Sequence, residues 1–213
     1  MKKLKKVYIC FGVFLLFLIL GSNTNSKPAM AAETQEYIVK SGDSMWKIAS
    51  KFQVGISEII SANPQIKNPS LIYPGQKVSI PTLSDVKAIE NKVVELVNRQ
   101  RVNAGLIPLT VNWQLSRVAR YKSDDMAIKG YFSHTSPTYG SPFKMMEDFG
   151  LRFSSAGENI AYGQTTPEQV MNAWMNSPGH KANILSPNFT EIGVGYSKNS
   201  SGVCYWTQMF IRP

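Results

Sequence analysis

Cysteine is scarce in these 213 residues, with only Cys10 and Cys204 present, and histidine is equally rare, with only His134 and His180. No apolar run reaches the ~20 residues that a spanning helix needs; the longest, Val7 to Leu20, has 14. No dense Lys/Arg block is present, which leaves nucleic-acid binding with little support. Low-complexity tracts and internal repeats are absent. So are a G-x-S-x-G nucleophile turn and an H-E-x-x-H zinc helix, which removes two common hydrolase signatures. Nothing suggests a nucleotide, haem or flavin site.

The chain opens with an export signal. Lys2, Lys3, Lys5 and Lys6 precede the apolar run, and a polar stretch then ends in Ala29-Met30-Ala31. This order of basic, apolar and small-residue segments predicts a secretory signal peptide over residues 1–31. Cleavage there leaves 182 residues and removes five lysines, which lowers the net charge from +9 to +4. It also removes Cys10, so no intramolecular disulfide remains possible. The fold must then rest on its core, which a chain of this length can supply. Cys204, in an apolar strand-like run, is expected to be buried, as free cysteines usually are.

Two units follow, at 36–81 and 85–213, joined by Pro81-Thr82-Leu83-Ser84 and expected to behave independently. The first opens on the β-prone Tyr37-Ile38-Val39-Lys40. Ser44 is placed to cap a helix whose Met45, Ile48, Ala49 and Phe52 recur on one face. Trp46 falls off that face and is expected to be partly exposed. Ser57 is read as the cap of a second helix, and Val78 and Ile80 alternate along a closing strand. In the second unit, helices are expected from Asp85 to Asn103 and from Trp113 to Lys129, with shorter ones after Ser141-Pro142 and Thr166-Pro167. Thr166 and Gln169 have capping-box spacing. Strand signals lie at Asn159–Tyr162, Ile192–Tyr196 and Val203–Ile211, the last two forming a hairpin through Lys198–Gly202. Gly193 and Gly195 read as sites of close packing. The fold class is therefore α+β.

Candidate chemistry centres on His134, His180 and the carboxylate Glu158, spaced 24 and 22 residues apart. Both histidines sit in polar, loop-like settings. Two imidazoles and a carboxylate can hold a metal with a position open for water, or form an acid–base set, or make structural hydrogen bonds at turns. Spacing alone leaves all three open.

The first unit resembles a LysM domain. The resemblance is carried by Tyr37-Ile38-Val39, Gly42-Asp43-Ser44-Met45-Trp46-Lys47-Ile48-Ala49, Asn63-Pro64 and Ile72-Tyr73-Pro74-Gly75-Gln76. It implies a βααβ fold that binds N-acetylglucosamine polymers, including peptidoglycan, in a shallow groove. The groove would be formed by Gly42, Asp43, Ser44 and Met45 on one loop and by Ile72 and Tyr73 on the other.

The second unit resembles a bacterial CAP (SCP-like, PR-1) domain. The matching blocks are Tyr131-Phe132-Ser133-His134, Gly157-Glu158-Asn159-Ile160-Ala161, Trp174-Met175-Asn176-Ser177-Pro178-Gly179-His180-Lys181-Ala182-Asn183, Ile192-Gly193-Val194-Gly195 and Tyr205-Trp206-Thr207-Gln208. This implies a three-layer α-β-α sandwich whose cleft holds two histidines and two glutamates, the histidines able to bind a divalent metal such as Zn2+. His134, Glu158 and His180 fall on three of the four positions. Ser177 stands where the family's second glutamate usually falls, which weakens the case for an enzyme. Glu191 is a spare carboxylate with no place assigned. The resemblance implies a secreted protein on the cell wall or spore envelope, free of the membrane after signal cleavage, with LysM on peptidoglycan and a CAP cleft for a metal, peptide or small ligand. A hydrolase of wall peptides or muropeptides and a non-catalytic scaffold are the alternatives. Oligomeric state is left open.

Overall fold

The computed structural model describes residues 33–213; the export signal expected over residues 1–31 lies outside the described residues. None of the described helices is long and apolar enough to cross a membrane.

The first module is a βααβ unit of β1 (Thr34–Ile38), α1 (Met45–Phe52), α2 (Ile56–Ser61) and β2 (Lys77–Pro81), with β1 and β2 antiparallel. Ser44 caps α1, its hydroxyl accepting from the Lys47 amide at 3.3 Å. Met45, Ile48 and Ala49 turn inward onto Ile59, Val78 and Ile80, while Trp46 stays 64% exposed. Ser57 does not cap α2. Gly55 takes the N-cap position, and the Ser57 hydroxyl instead donates to Glu58 and meets Tyr121. Asn63 ties α2 to the closing strand: its amide donates to the Ile59 and Ser79 carbonyls, and its oxygen accepts from the Ser79 amide.

The second module places a four-stranded sheet between helices. Its elements are α3 (Ser84–Asn103), β3 (Thr110–Val111), α4 (Trp113–Lys129), α5 (Pro142–Asp148), β4 (Ser155–Tyr162), α6 (Pro167–Met175), α7 (Pro178–Ile184), β5 (Glu191–Lys198) and β6 (Cys204–Arg212). Strand order is β3-β5-β6-β4, with β3 and β5 parallel and the other pairs antiparallel. Ile192, Val194, Trp206 and Phe210 face Val93 and Val97 of α3 and Val170 and Trp174 of α6. On the opposite face, Met209 and Ile211 meet Leu115 and Val118 of α4 and Met145 of α5. Period-two alternation along each strand thus builds two cores and three layers.

Gly193 and Gly195 let α4 lie directly on β5. A Cβ added at either would sit 2.3 or 2.1 Å from the α4 backbone at Leu115 or Ala119. Asn112 caps α4 by accepting from the Leu115 amide at 3.0 Å, and Gly130, at φ 67°, ends it in the left-handed region. Glu191 sits at the start of β5, where its carboxylate accepts from Asn112 Nδ2 at 2.7 Å. The capping box at Thr166 is one-sided: Thr166 accepts from the Gln169 amide, but the Gln169 side chain reaches Thr165 rather than Thr166. Cys204 is a buried free thiol, 3.3 Å from the Tyr196 hydroxyl.

The two modules are joined by more than a short connection, contrary to the expected independence. Arg117 of α4 pairs with Glu58 of α2 at 3.0 Å and donates to the Ser57 and Tyr121 hydroxyls. Its guanidinium lies over the Tyr121 and Phe149 rings. Gly55 leaves room for this pair, because a Cβ there would lie 1.9 Å from Glu58 Oε2 and 2.2 Å from Arg117 Nε, so both side chains would have to shift. Burial would raise the Glu58 pKa, but the bonds from Arg117, Ser57 and Tyr121 outweigh it and hold the carboxyl low. A carboxylate whose folded pKa is depressed stabilises the joint above its ordinary value and loses that contribution as pH falls below it.

Arg117→Ala is therefore expected to weaken the joint by about 1 kcal/mol. Proteolytic nicking at residues 82–84 should become roughly fivefold faster with both modules still folded. Acidification below the ordinary carboxylate range should accelerate nicking of the parent and leave the variant unchanged. Equal rates at neutral pH would show that the pair does not hold the joint.

Candidate functional site

His134 sits on the loop between α4 and α5, and that loop is held from inside by two buried charges on α4. The Lys122 ammonium donates to the main-chain carbonyls of Ser133 at 2.7 Å and His134 at 2.9 Å. Burial lowers its pKa, with Glu158 and Asp125 acting in the other direction. One turn on, the Asp125 carboxylate accepts from Tyr131 at 2.7 Å, from Ser136 at 2.6 Å and from Thr138. Burial, then the hydrogen bond to Asp125, pushes the Tyr131 phenol well above its ordinary range.

Glu158 lies on β4, the edge strand beside this loop, with its side chain 2% exposed against 55% for His134. Its Oε1 is 2.7 Å from His134 Nδ1. Its Oε2 is buried without a hydrogen-bond partner among the described residues. Burial raises the Glu158 pKa, while His134 and Lys122 pull it back. A carboxylate in this position fixes the imidazole ring and leaves Nε2 facing outward.

His180 is on a helix, α7, and not on the loop expected from the sequence. Burial lowers its pKa first, and the neighbouring His134 lowers it further. Its main-chain carbonyl accepts from Asn159 Nδ2, within a buried amide chain that also includes Asn183 and Gln208. Ser177 occupies the N-cap position of α7, yet its side chain makes no capping bond. Ser177 and His180 line an open pocket of about 240 Å³ with Phe132, Ile160, Tyr162 and Trp174.

The structure thus joins His134 directly to Glu158 and sets His180 and Ser177 along the same edge of the sheet. Glu191 is elsewhere, bound to Asn112 at the start of β5. Lys122 and Asp125 were not foreseen, because charges inside a helical run read as its solvent face. Asn183 and Gln208 lay within the matched blocks but carried no signal of a buried network. Among the described residues, no group of three or more His, Cys, Asp or Glu side chains is arranged to hold a metal.

In the first module, Gly42 adopts φ 82° and its carbonyl accepts from Lys47 Nζ. Asp43 accepts from Tyr37 and from the Lys40 amide. Met45 is buried and Tyr73 is 59% exposed. The side chains of Asp43, Ser44 and Met45 shape their loop from within, and Tyr73 is turned to solvent.

An α-β-α sandwich with a His–Glu pair on its edge strand, preceded by a βααβ module, defines a two-module protein of the LysM–CAP type. Residues 37–81 match the LysM domain. Residues 94–210 match CAP, the cysteine-rich secretory protein family, and the chain belongs to that family. It is 59% identical over 128 residues to the uncharacterized protein YkwD of Bacillus subtilis, covering 60% of this chain and 49% of YkwD. It is 44% identical over 48 residues to the spore coat assembly protein ExsA of Bacillus cereus, covering 22% of this chain and 8% of ExsA. Among solved structures, an extracellular SCP-domain protein from Bacillus anthracis aligns with a TM-score of 0.55 at 36% identity, covering 66% of this chain and 47% of that one. The chain therefore spans about half of YkwD and less of ExsA.

Proposed function

We propose that this is an exported protein held on peptidoglycan by its LysM module, with the CAP cleft presented as a ligand-binding site. The LysM match over residues 37–81 carries this reading. The exposed Tyr73 and the Gly42–Met45 loop are the surfaces that would meet N-acetylglucosamine units. The extracellular relative from Bacillus anthracis favours a location outside the cell, and the ExsA similarity keeps the spore envelope beside the vegetative wall. Binding is preferred to catalysis because Glu158, the one carboxylate in the cleft, is tied to His134, and Ser177 provides no second acid.

Residues 32–213 are expected to pellet with purified peptidoglycan, and a chain without residues 36–81 should stay in the supernatant. Pelleting of the shortened chain to the same extent as the full one would remove the anchoring role from LysM.

The His134–Glu158 contact favours a second reading for the cleft, a divalent ion held by His134 Nε2 and His180. Glu158 would then orient the first ligand, as carboxylates do behind metal-bound histidines. Two protein donors fall short of the three that catalytic zinc sites use. A bound ion would polarise a coordinated water. Calorimetric titration of metal-stripped protein with Zn2+ should show saturable binding that the His134→Ala/His180→Ala variant loses. Absence of heat in the parent would reject the metal reading and leave the anchoring role intact.

A further inference from the structure

The pocket beside the histidines has a composition of its own. Phe132 and Tyr162 are 46% and 52% exposed, although large aromatic rings contribute most when buried. Their ring centroids are 4.7 Å apart and their planes meet at 50°, which forms an angled aromatic wall. Tyr162 is backed by Tyr205, stacked at 6.1 Å, so the wall is braced from behind. Trp174 lies at the base of the pocket, buried and fixed by a bond from its indole N–H to the Ile160 carbonyl.

The polar groups around this wall carry no acid, lysine or arginine. Gln164 brings a buried Oε1 with no hydrogen-bond partner among the described residues, a group that costs free energy until a donor reaches it. The Ser177 hydroxyl caps nothing. His180 adds a ring that can donate or accept. The volume, about 240 Å³, is below the ~300–1,000 Å³ of clefts that enclose drug-sized ligands, so a single ring fits it.

An open aromatic wall, an acceptor in need of a donor, a free hydroxyl and no fixed charge describe a receptor for an uncharged, hydroxyl-rich ring with one apolar face. A pyranose offers axial C–H groups to the negative face of an aromatic ring and hydroxyl or N-acetyl N–H donors at its edge. We infer that the pocket of Phe132, Tyr162, Trp174, Gln164, Ser177 and His180 is a subsite for a neutral N-acetylhexosamine ring. The CAP module then reads the same class of polymer as the LysM module. This inference rests on the cleft being the ligand site of a wall-bound protein.

The test is a titration of isotopically labelled residues 32–213 with triacetylchitotriose, followed by amide NMR, which separates the two modules in one sample. Two sets of shifts are expected, one around residues 42–45 and 72–75 and the other around residues 132, 162 and 177. Phe132→Ala/Tyr162→Ala should weaken the second set by about tenfold or more and leave the first set in place. Tyr162→Phe, which keeps the ring, should retain both. Both rings are about half exposed, so the variants are expected to fold, and unchanged amide signals from CAP residues outside the pocket will verify it.

Shifts confined to the LysM residues would overturn the subsite and leave the anchoring reading standing. Shifts confined to the CAP pocket would do the reverse. Shifts in the pocket that survive loss of both rings would also overturn the proposal. So would a pocket that responds to an aromatic or proline-rich peptide and not to the sugar.

Discussion

Gly195→Ala is expected to destabilise the protein by roughly 3 kcal/mol or more, the upper end for overpacked cores. The added methyl would meet the Ala119 carbonyl carbon at 2.1 Å and the Arg120 amide nitrogen at 2.2 Å. These are backbone atoms of a hydrogen-bonded helix, so no rotamer change relieves the clash. α4 would have to lift away from β5, opening voids along a contact that Leu115, Val118 and Met209 now fill. For a chain of this size each kcal/mol lowers Tm by roughly 2–4 °C. A fall on the order of 10 °C in a thermal melt is the expected result. Gly179→Ala is the control, because a Cβ there meets nothing within 4 Å and alanine is the better helix former. If both variants melted with the parent, the close approach of α4 to the sheet would be refuted.

Asp125→Ala should have a second large effect, this time on the site. Its carboxylate accepts from Tyr131, Ser136 and Thr138 and lies 3.4 Å from Lys129, and hydrogen bonds to a charged group are worth ~1.5–3 kcal/mol each. Leaving these donors without their acceptor costs about 1–3 kcal/mol for each one that is buried. That loss falls on the segment that carries His134. Amide exchange across residues 131–140 should accelerate strongly, and the His134 ring resonances should lose the signature of a fixed imidazole beside Glu158. Asp125→Asn keeps the shape and some acceptors, and an intermediate effect is expected. Unchanged protection in the alanine variant would mean that Lys122 alone fixes the loop.

How much of this was legible in the sequence depends on the range of the interaction concerned. α3 and α4 could be read almost to their ends, because apolar periodicity runs along each and a glycine, Gly105 or Gly130, follows the last turn. The hairpin of β5 and β6 was equally local. α7 was missed although Ser177-Pro178 repeats the Ser141-Pro142 pattern; the polar segment around His180 reads as a loop, whereas Pro178 occupies the first helical position. β3 was missed because two residues give no alternation, and its pairing with β5 spans some eighty positions. The contact of His134 with Glu158 crosses 24 residues, beyond any helical or hairpin spacing, so it was legible through family resemblance alone. The roles of Lys122 and Asp125 depend on where their helix lies against a loop that the helix itself does not specify.

The burial of Cys204 has a consequence for the protein's durability. The thiol is 1% exposed, in the core that the sheet forms with α3 and α6 and 3.3 Å from the Tyr196 hydroxyl. A disulfide requires Cα atoms within about 4.4–6.8 Å, which no second chain can achieve while the hairpin is closed. Oxidants and alkylating agents face the same barrier. The redox fate of the molecule is therefore a matter of timing. Whether its surroundings are oxidising or reducing, the sulfur reacts only during the rare intervals when β6 separates from its neighbours, so chemical ageing at this residue is paced by the opening of the fold.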